Sequence, residues 1–211
     1  MKAILFDFDG TLANTLPVAY YAFQQVFHMY DGKELTDEDV RNMFGPPEPE
    51  IIRGNLQHTD KEKAVDRFLE IYEQHHEALV KPDQEITDMI KTLKERGYKL
   101  AIITGKSRAS LGISLKALEM NEGWFDSIVT GDDVGNAKPH PEGILNTLRD
   151  LNIEKSEAMF IGDSNADIEA GKRADVFTIG VQWLPEFQTS EFTGEPDRIY
   201  KKVSDFTCSL G

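Results

Sequence analysis

Ala3-Ile4-Leu5-Phe6-Asp7-Phe8-Asp9-Gly10-Thr11-Leu12 sets an apolar run against two aspartates one residue apart, followed at once by a glycine. A short apolar run closed by turn residues reads as a buried strand. A chain turning at Gly10 can aim both carboxylates into one crevice beyond the end of that strand. Open α/β sheets bind ligands there. Two adjacent carboxylates repel each other unless a cation or a proton neutralises them. Mg²⁺ suits such oxygens and commonly keeps part of its shell for phosphate, so the pair points toward phosphate chemistry. Read alone, the same segment also fits a solvated turn, and the rest of the chain has to decide.

With 211 residues the chain can bury a substantial core, and a core carrying an inserted lobe fits that length. Asp and Glu number 37 against 23 Lys and Arg, a net charge of −14, which speaks against nucleic acid or an anionic membrane surface as partner. An anionic ligand would need local cations to capture it. One cysteine, Cys208, excludes an intrachain disulfide, and no apolar run has the length of a membrane span or the flanks of a signal peptide. The expectation is a cytoplasmic protein, monomeric or weakly dimeric, acting on a small phosphorylated metabolite.

After the first strand a 3.6-residue period takes over. Pro17 can open a helix with Ala19, Ala22, Phe23, Val26 and Phe27 on its apolar side, and Thr36-Asp37-Glu38-Asp39 reads as a cap with an acidic first turn. Asp60 to Val80 carries Val65, Phe68, Leu69, Tyr72 and Leu79 on one stripe. His75 and His76 lie in a charged stretch of it and are expected at the surface, not at a metal. From about Pro82 helices alternate with the runs Leu100–Ile103, Ser127–Thr130, Ala158–Ile161 and Val176–Val181, the pattern of a parallel sheet with helical crossovers. The expected architecture is a doubly wound, Rossmann-like α/β core formed by residues 1–14 and 82–211, with a helical cap inserted over residues 15–81. An all-helical lobe beside the crevice would serve as a lid.

Each expected strand end carries chemistry. Thr104-Gly105-Lys106-Ser107 can hold phosphate oxygens by a hydroxyl and a glycine N–H at a helix start, or its hydroxyls can merely cap that helix. The stiff loop Gly131 to Pro141 holds Lys138 between Ala137 and Pro139, a cation of value beside clustered carboxylates. Gly162-Asp163-Ser164 ends another apolar run, and Asp163 can join a metal site. Asp167 can orient its neighbours or can simply favour the start of the following helix.

Asp7-Phe8-Asp9-Gly10-Thr11-Leu12, Thr104-Gly105, Lys138-Pro139 and Gly162-Asp163-Ser164 with Asp167, in that order, resemble the motifs of the haloacid dehalogenase-like hydrolase superfamily. The segment between the first two resembles the cap of its phosphoglycolate phosphatase-like and β-phosphoglucomutase-like branch. The resemblance implies that Asp7 is the nucleophile, forming an aspartyl-phosphate, and Asp9 the acid and base. It further implies that Thr104, Gly105 and Lys138 hold the transferring phosphoryl group, and that Asp7, Asp163 and the Asp9 carbonyl bind Mg²⁺, with Ser164 and Asp167 orienting them.

Aspartate at position 9 argues against a dehalogenase, which needs no proton donor for an alkoxide. The related mutases carry a histidine ten residues past that aspartate, where this chain has Ala19. Substrate choice is expected from the cap loop Gly45-Pro46-Pro47-Glu48-Pro49-Glu50, read as a stiff turn dipping into the crevice, with Pro46, Glu48, Arg53 and Lys106 as candidates. Arg53 can meet a substrate carboxylate or stay solvated. The expected activity is Mg²⁺-dependent hydrolysis of a small phosphomonoester such as phosphoglycolate or a sugar phosphate. The alternatives are a phosphomutase, an inorganic pyrophosphatase, or a receiver-type switch phosphorylated on aspartate. A receiver is little more than half this length and has no use for Asp9.

Overall fold

The computed structural model describes residues 1–210. Its centre is a six-stranded sheet in the order β3-β2-β1-β4-β5-β6, parallel throughout. The strands are β1 (Ala3–Phe6), β2 (Lys99–Ile103), β3 (Ser127–Val129), β4 (Ala158–Gly162), β5 (Phe177–Val181) and β6 (Arg198–Tyr200). The first five fall on the expected runs within two residues. The sixth has only three residues and lies at the sheet edge, too short to show a period in sequence.

β1 is buried along its whole length, and its two faces enter different cores. Ile4 and Phe6 belong to a large cluster shared with the helices between β1 and β2, whereas Ala3 and Leu5 pack with Ile103, Ile144, Leu148 and Phe160 on the other side. Burial on both faces is what a central parallel strand requires, and it explains the unbroken apolar run.

Between β1 and β2 lie α1 (Leu16–Asp31), α2 (Asp37–Arg41), α3 (Glu48–Asn55), α4 (Lys61–Leu79) and α5 (Gln84–Glu95). Thr36 caps α2 through a reciprocal pair with Asp39, as its sequence indicates. The Gly45–Glu50 stretch is not a turn throughout. Pro47 is the N-cap and α3 starts at Glu48, because the N–H groups that prolines lack in a first turn have no helical partner anyway. α1 and α4 pack through Phe23 and Phe68, whose rings lie 4.6 Å apart. The remaining helices are α6 (Arg108–Ala117), α7 (Glu142–Leu151), α8 (Asn165–Ala174) and α9 (Val203–Ser209). Among the described residues no helix is long and apolar enough to cross a membrane.

Candidate active site

Every strand end named in the sequence delivers its residue to one edge of the sheet. Asp7 follows β1 and extends its ladder by donating its N–H to Ile161 O at 2.8 Å. The chain then folds back on Phe8 O, which accepts from Thr11, Leu12 and Ala13. Gly10 makes this turn at φ +80°, and a Cβ there would lie 2.2 Å from Asp163 Oδ2. Position 10 therefore needs glycine both for backbone conformation and for the close approach of a carboxylate.

Lys138 Nζ lies 2.6 Å from Asp7 Oδ1, 2.6 Å from Asp167 Oδ1 and 3.3 Å from Ile103 O. Asp167 combines both roles left open by the sequence. Its Oδ2 accepts from Ser164 N–H at 3.0 Å and Ser164 Oγ at 2.6 Å, capping α8, while Oδ1 holds the lysine. Asp163, fully buried, accepts from Thr11 Oγ1 at 3.3 Å and from the Gln188 N–H at 2.6 Å. One carboxylate oxygen from each of Asp7, Asp163 and Asp167 lies within 4.8 Å of the others. Burial pushes the Asp7 carboxyl up to about 7, with Asp167 and Asp9 adding to the rise and Lys138 opposing it. Burial, then Asp7, likewise drives the Asp163 carboxyl far above its ordinary range. Lys138 loses by burial but gains more from Asp167 and Asp7, and stays charged.

Three converging carboxylates with one ammonium among them leave negative charge uncompensated at the sheet edge. This all-oxygen donor set fits Mg²⁺.

The Asp9 side chain does not join that cluster. It accepts from Thr15 Oγ1 and lies 3.2 Å from Lys106 Nζ. Thr104 and Gly105 line the same pocket, and Thr104 Oγ1 accepts the Lys106 N–H at 3.2 Å. The cavity has a volume of about 210 Å³ and is lined by the apolar Leu16, Ala19, Phe23, Phe44 and Ile51 as well as the carboxylates, with Pro46, Glu48 and Lys106 also in its wall. Arg53 is not brought to it. Its guanidinium makes two 2.8 Å bonds to Glu62 on the outer surface, so the substrate role considered for it is discarded. The surface expectation for His76 is also overturned: the ring is 1% exposed and bonded to Ser114 Oγ at 3.0 Å. Reading the sequence did not single out Gln188, which lines the pocket, or Thr15. Gln188 sits on a connection beyond β5 that Trp183 anchors through Thr11 O at 2.8 Å, and it carries no periodic signal.

An aspartate at the end of a central parallel strand, a lysine pinned between aspartates and a pocket at that sheet edge together fit a phosphatase-type hydrolase. Residues 4–181 match the family model described as haloacid dehalogenase-like hydrolase, and the chain belongs to that family. A pyrophosphatase PpaX of Anoxybacillus flavithermus is 38% identical over 215 residues, covering 100% of this chain and 97% of that protein. The PpaX of Bacillus anthracis is 32% identical over 210 residues, with 100% and 96% covered. Among solved structures, CbbY from Rhodobacter sphaeroides in complex with phosphate has a TM-score of 0.84 at 27% identity, covering 98% of this chain and 96% of that one.

Proposed function

We propose that the protein is a Mg²⁺-dependent phosphatase whose preferred substrate is inorganic pyrophosphate, cleaved through an aspartyl-phosphate on Asp7. The observation that carries the reading is that Asp7 and Asp9 line one small pocket, each with its own lysine beside it. Asp7, held by Lys138, faces the phosphorus, and its Oδ attacks in line. Asp9 donates its proton to the departing oxygen and takes one back from the water that later hydrolyses the acyl-phosphate. Thr104 and the Gly105 N–H hold the equatorial oxygens. Asp7, Asp163 and the Asp9 carbonyl, with Asp167 beside them, would hold Mg²⁺, which would supply charge neutralisation for nucleophile and phosphate.

Pyrophosphate is favoured by the whole-length relatives that bear that name and by the cavity's small size. A small phosphomonoester is the second reading, favoured by the apolar wall of Leu16, Phe23, Phe44 and Ile51. Ala19 in that wall offers no group for passing a proton to a sugar, which supports hydrolysis over mutase chemistry.

The test is phosphate release from pyrophosphate, phosphoglycolate and hexose phosphates with Mg²⁺. The kcat/KM for pyrophosphate is expected to exceed the others by at least roughly 100-fold, the scale on which a pocket separates substrates that differ by one small group. Preference for a monoester would transfer the assignment to the second reading, and inactivity toward all would remove it.

A further inference from the structure

The side chain of Lys106 is 1% exposed, and the groups that compensate its charge come from outside its own segment. Asp9 Oδ1 is at 3.2 Å, Glu48 Oε1 at 3.3 Å and the Tyr72 ring centre at 4.5 Å. Burial alone would lower the ammonium's pKa, but Asp9, Tyr72 and Glu48 together hold it well above its ordinary value. Glu48 opens α3, yet its carboxylate reaches the start of α6. Oε2 accepts the Ser107 N–H at 2.7 Å and Oε1 the Ser110 hydroxyl at 2.6 Å. The neighbouring Pro47 packs so closely on the sheet side that a Cβ at Gly131 would lie 2.9 Å from Pro47 Cβ.

Removing one partner from such a buried network leaves an uncompensated charge, so these contacts stand or fall together. They exist only while the segment around Glu48 is seated over the pocket. None of them involves Asp7 or Lys138.

We propose that Glu48 is a positioning residue. Seated on Lys106 and on the Ser107–Ser110 turn, it latches the helical segment over the pocket and, through Lys106, holds the Asp9 carboxylate toward the leaving oxygen. This rests on the phosphatase reading above.

Two measurements test it. Trace acetylation of the native protein, mapped by mass spectrometry, reads the latch without any turnover. Glu48→Ala is expected to raise labelling of Lys106 roughly tenfold or more, as a desolvated ammonium becomes accessible. Lys138, whose carboxylate partners Asp7 and Asp167 both sit at the sheet edge, should be unchanged and reports on general unfolding. Unchanged Lys106 labelling, or an equal rise at both lysines, would overturn the latch.

The second measurement compares leaving groups. With Glu48→Gln, kcat for pyrophosphate is expected to fall on the order of 100-fold, the scale of a lost proton transfer, with little change in KM. The phenolate burst from p-nitrophenyl phosphate, which departs without help, should change less than about threefold. Adding Lys106→Met should then cost little more than Lys106→Met alone, since both act on Asp9. Equal losses with both substrates, or additive losses in the double variant, would refute the positioning role. If the unaltered protein hydrolyses neither compound, the phosphatase reading fails on its own, and the labelling result still decides the latch.

Discussion

Lowering the pH should destabilise this protein through one buried imidazole, and replacing His76 with glutamine should remove that sensitivity. His76 is in the last turn of α4, where the helix dipole favours a protonated ring by about 0.3–1 kcal/mol. Burial outweighs that. With Lys106 adding repulsion, it pulls the pKa down to about 4 from an ordinary 6.5. One ring nitrogen bonds Ser114, which in turn bonds Tyr72 OH at 2.8 Å, and the other, Nδ1, has no partner among the described residues. Because the folded-state pKa is depressed, the folded ring stays neutral while the unfolded one takes up a proton below 6.5. Stability is therefore unaffected above that value and falls progressively as the pH drops to about 4, below which both states carry the proton and the loss levels off. At about 1.4 kcal/mol per unit, the loss by roughly pH 4.5 is about 2–3 kcal/mol. Urea unfolding at neutral pH and at about pH 4.5 gives the difference for each protein. His76→Gln, which can still bond Ser114, should lose about 2–3 kcal/mol less between the two conditions than the unaltered chain. Parallel declines in the two proteins would mean that the imidazole is hydrated or already charged in the fold, and the reasoning would be wrong.

Gly10→Ala combines a left-handed backbone, costing about 1–2 kcal/mol, with a clash against Asp163. It should lower the melting temperature by several degrees and weaken Mg²⁺ binding in calorimetry; unchanged metal affinity would show that Asp163 can move aside. Asp7→Asn should abolish turnover, with the melting temperature unchanged or raised because a buried carboxylate of elevated pKa is gone. A marked drop in melting temperature would assign Asp7 a mainly structural role. Asp9→Asn, given an aryl phosphate, should release one equivalent of phenol and then stall as phospho-Asp7, seen by rapid quench; steady release of both products would exclude Asp9 as the base. Chelation by EDTA should stop hydrolysis and Ca²⁺ should restore it poorly, because its looser shell disturbs in-line geometry.

The gathering of these polar residues at one sheet edge was legible because three strands are apolar runs that stop at a polar residue: Phe6 before Asp7, Ile103 before Thr104, Gly162 before Asp163. A residue's place beyond a parallel strand nearly fixes which edge it occupies, so local pattern carries long-range information there. Where polar residues fall on helices, the outcome depends on what packs opposite. His76 reads as surface from its neighbours Gln74, His75 and Glu77. Its spacing of four from Tyr72 and eight from Phe68, both buried, was the available signal. Arg53 shows the converse, a charge near the cap loop that α3 turns toward Glu62. Glu48 and Lys106 were found as pocket residues, but their pairing was not, because a contact spanning 58 residues has no local signature.

The place of β1 between β2 and β4 bears on how the protein is made. A nascent chain that has passed Asp7 holds a greasy strand with both hydrogen-bonding edges bare until Lys99–Ile103 and Ala158–Gly162 emerge from the ribosome. The lysine that bonds Asp7 follows 131 residues later, and the carboxylate that meets Thr11 lies 152 residues beyond that threonine. No fragment that stops short of β4 can assemble the cluster of Asp7, Asp163, Asp167 and Lys138, and its first strand keeps one edge unpaired.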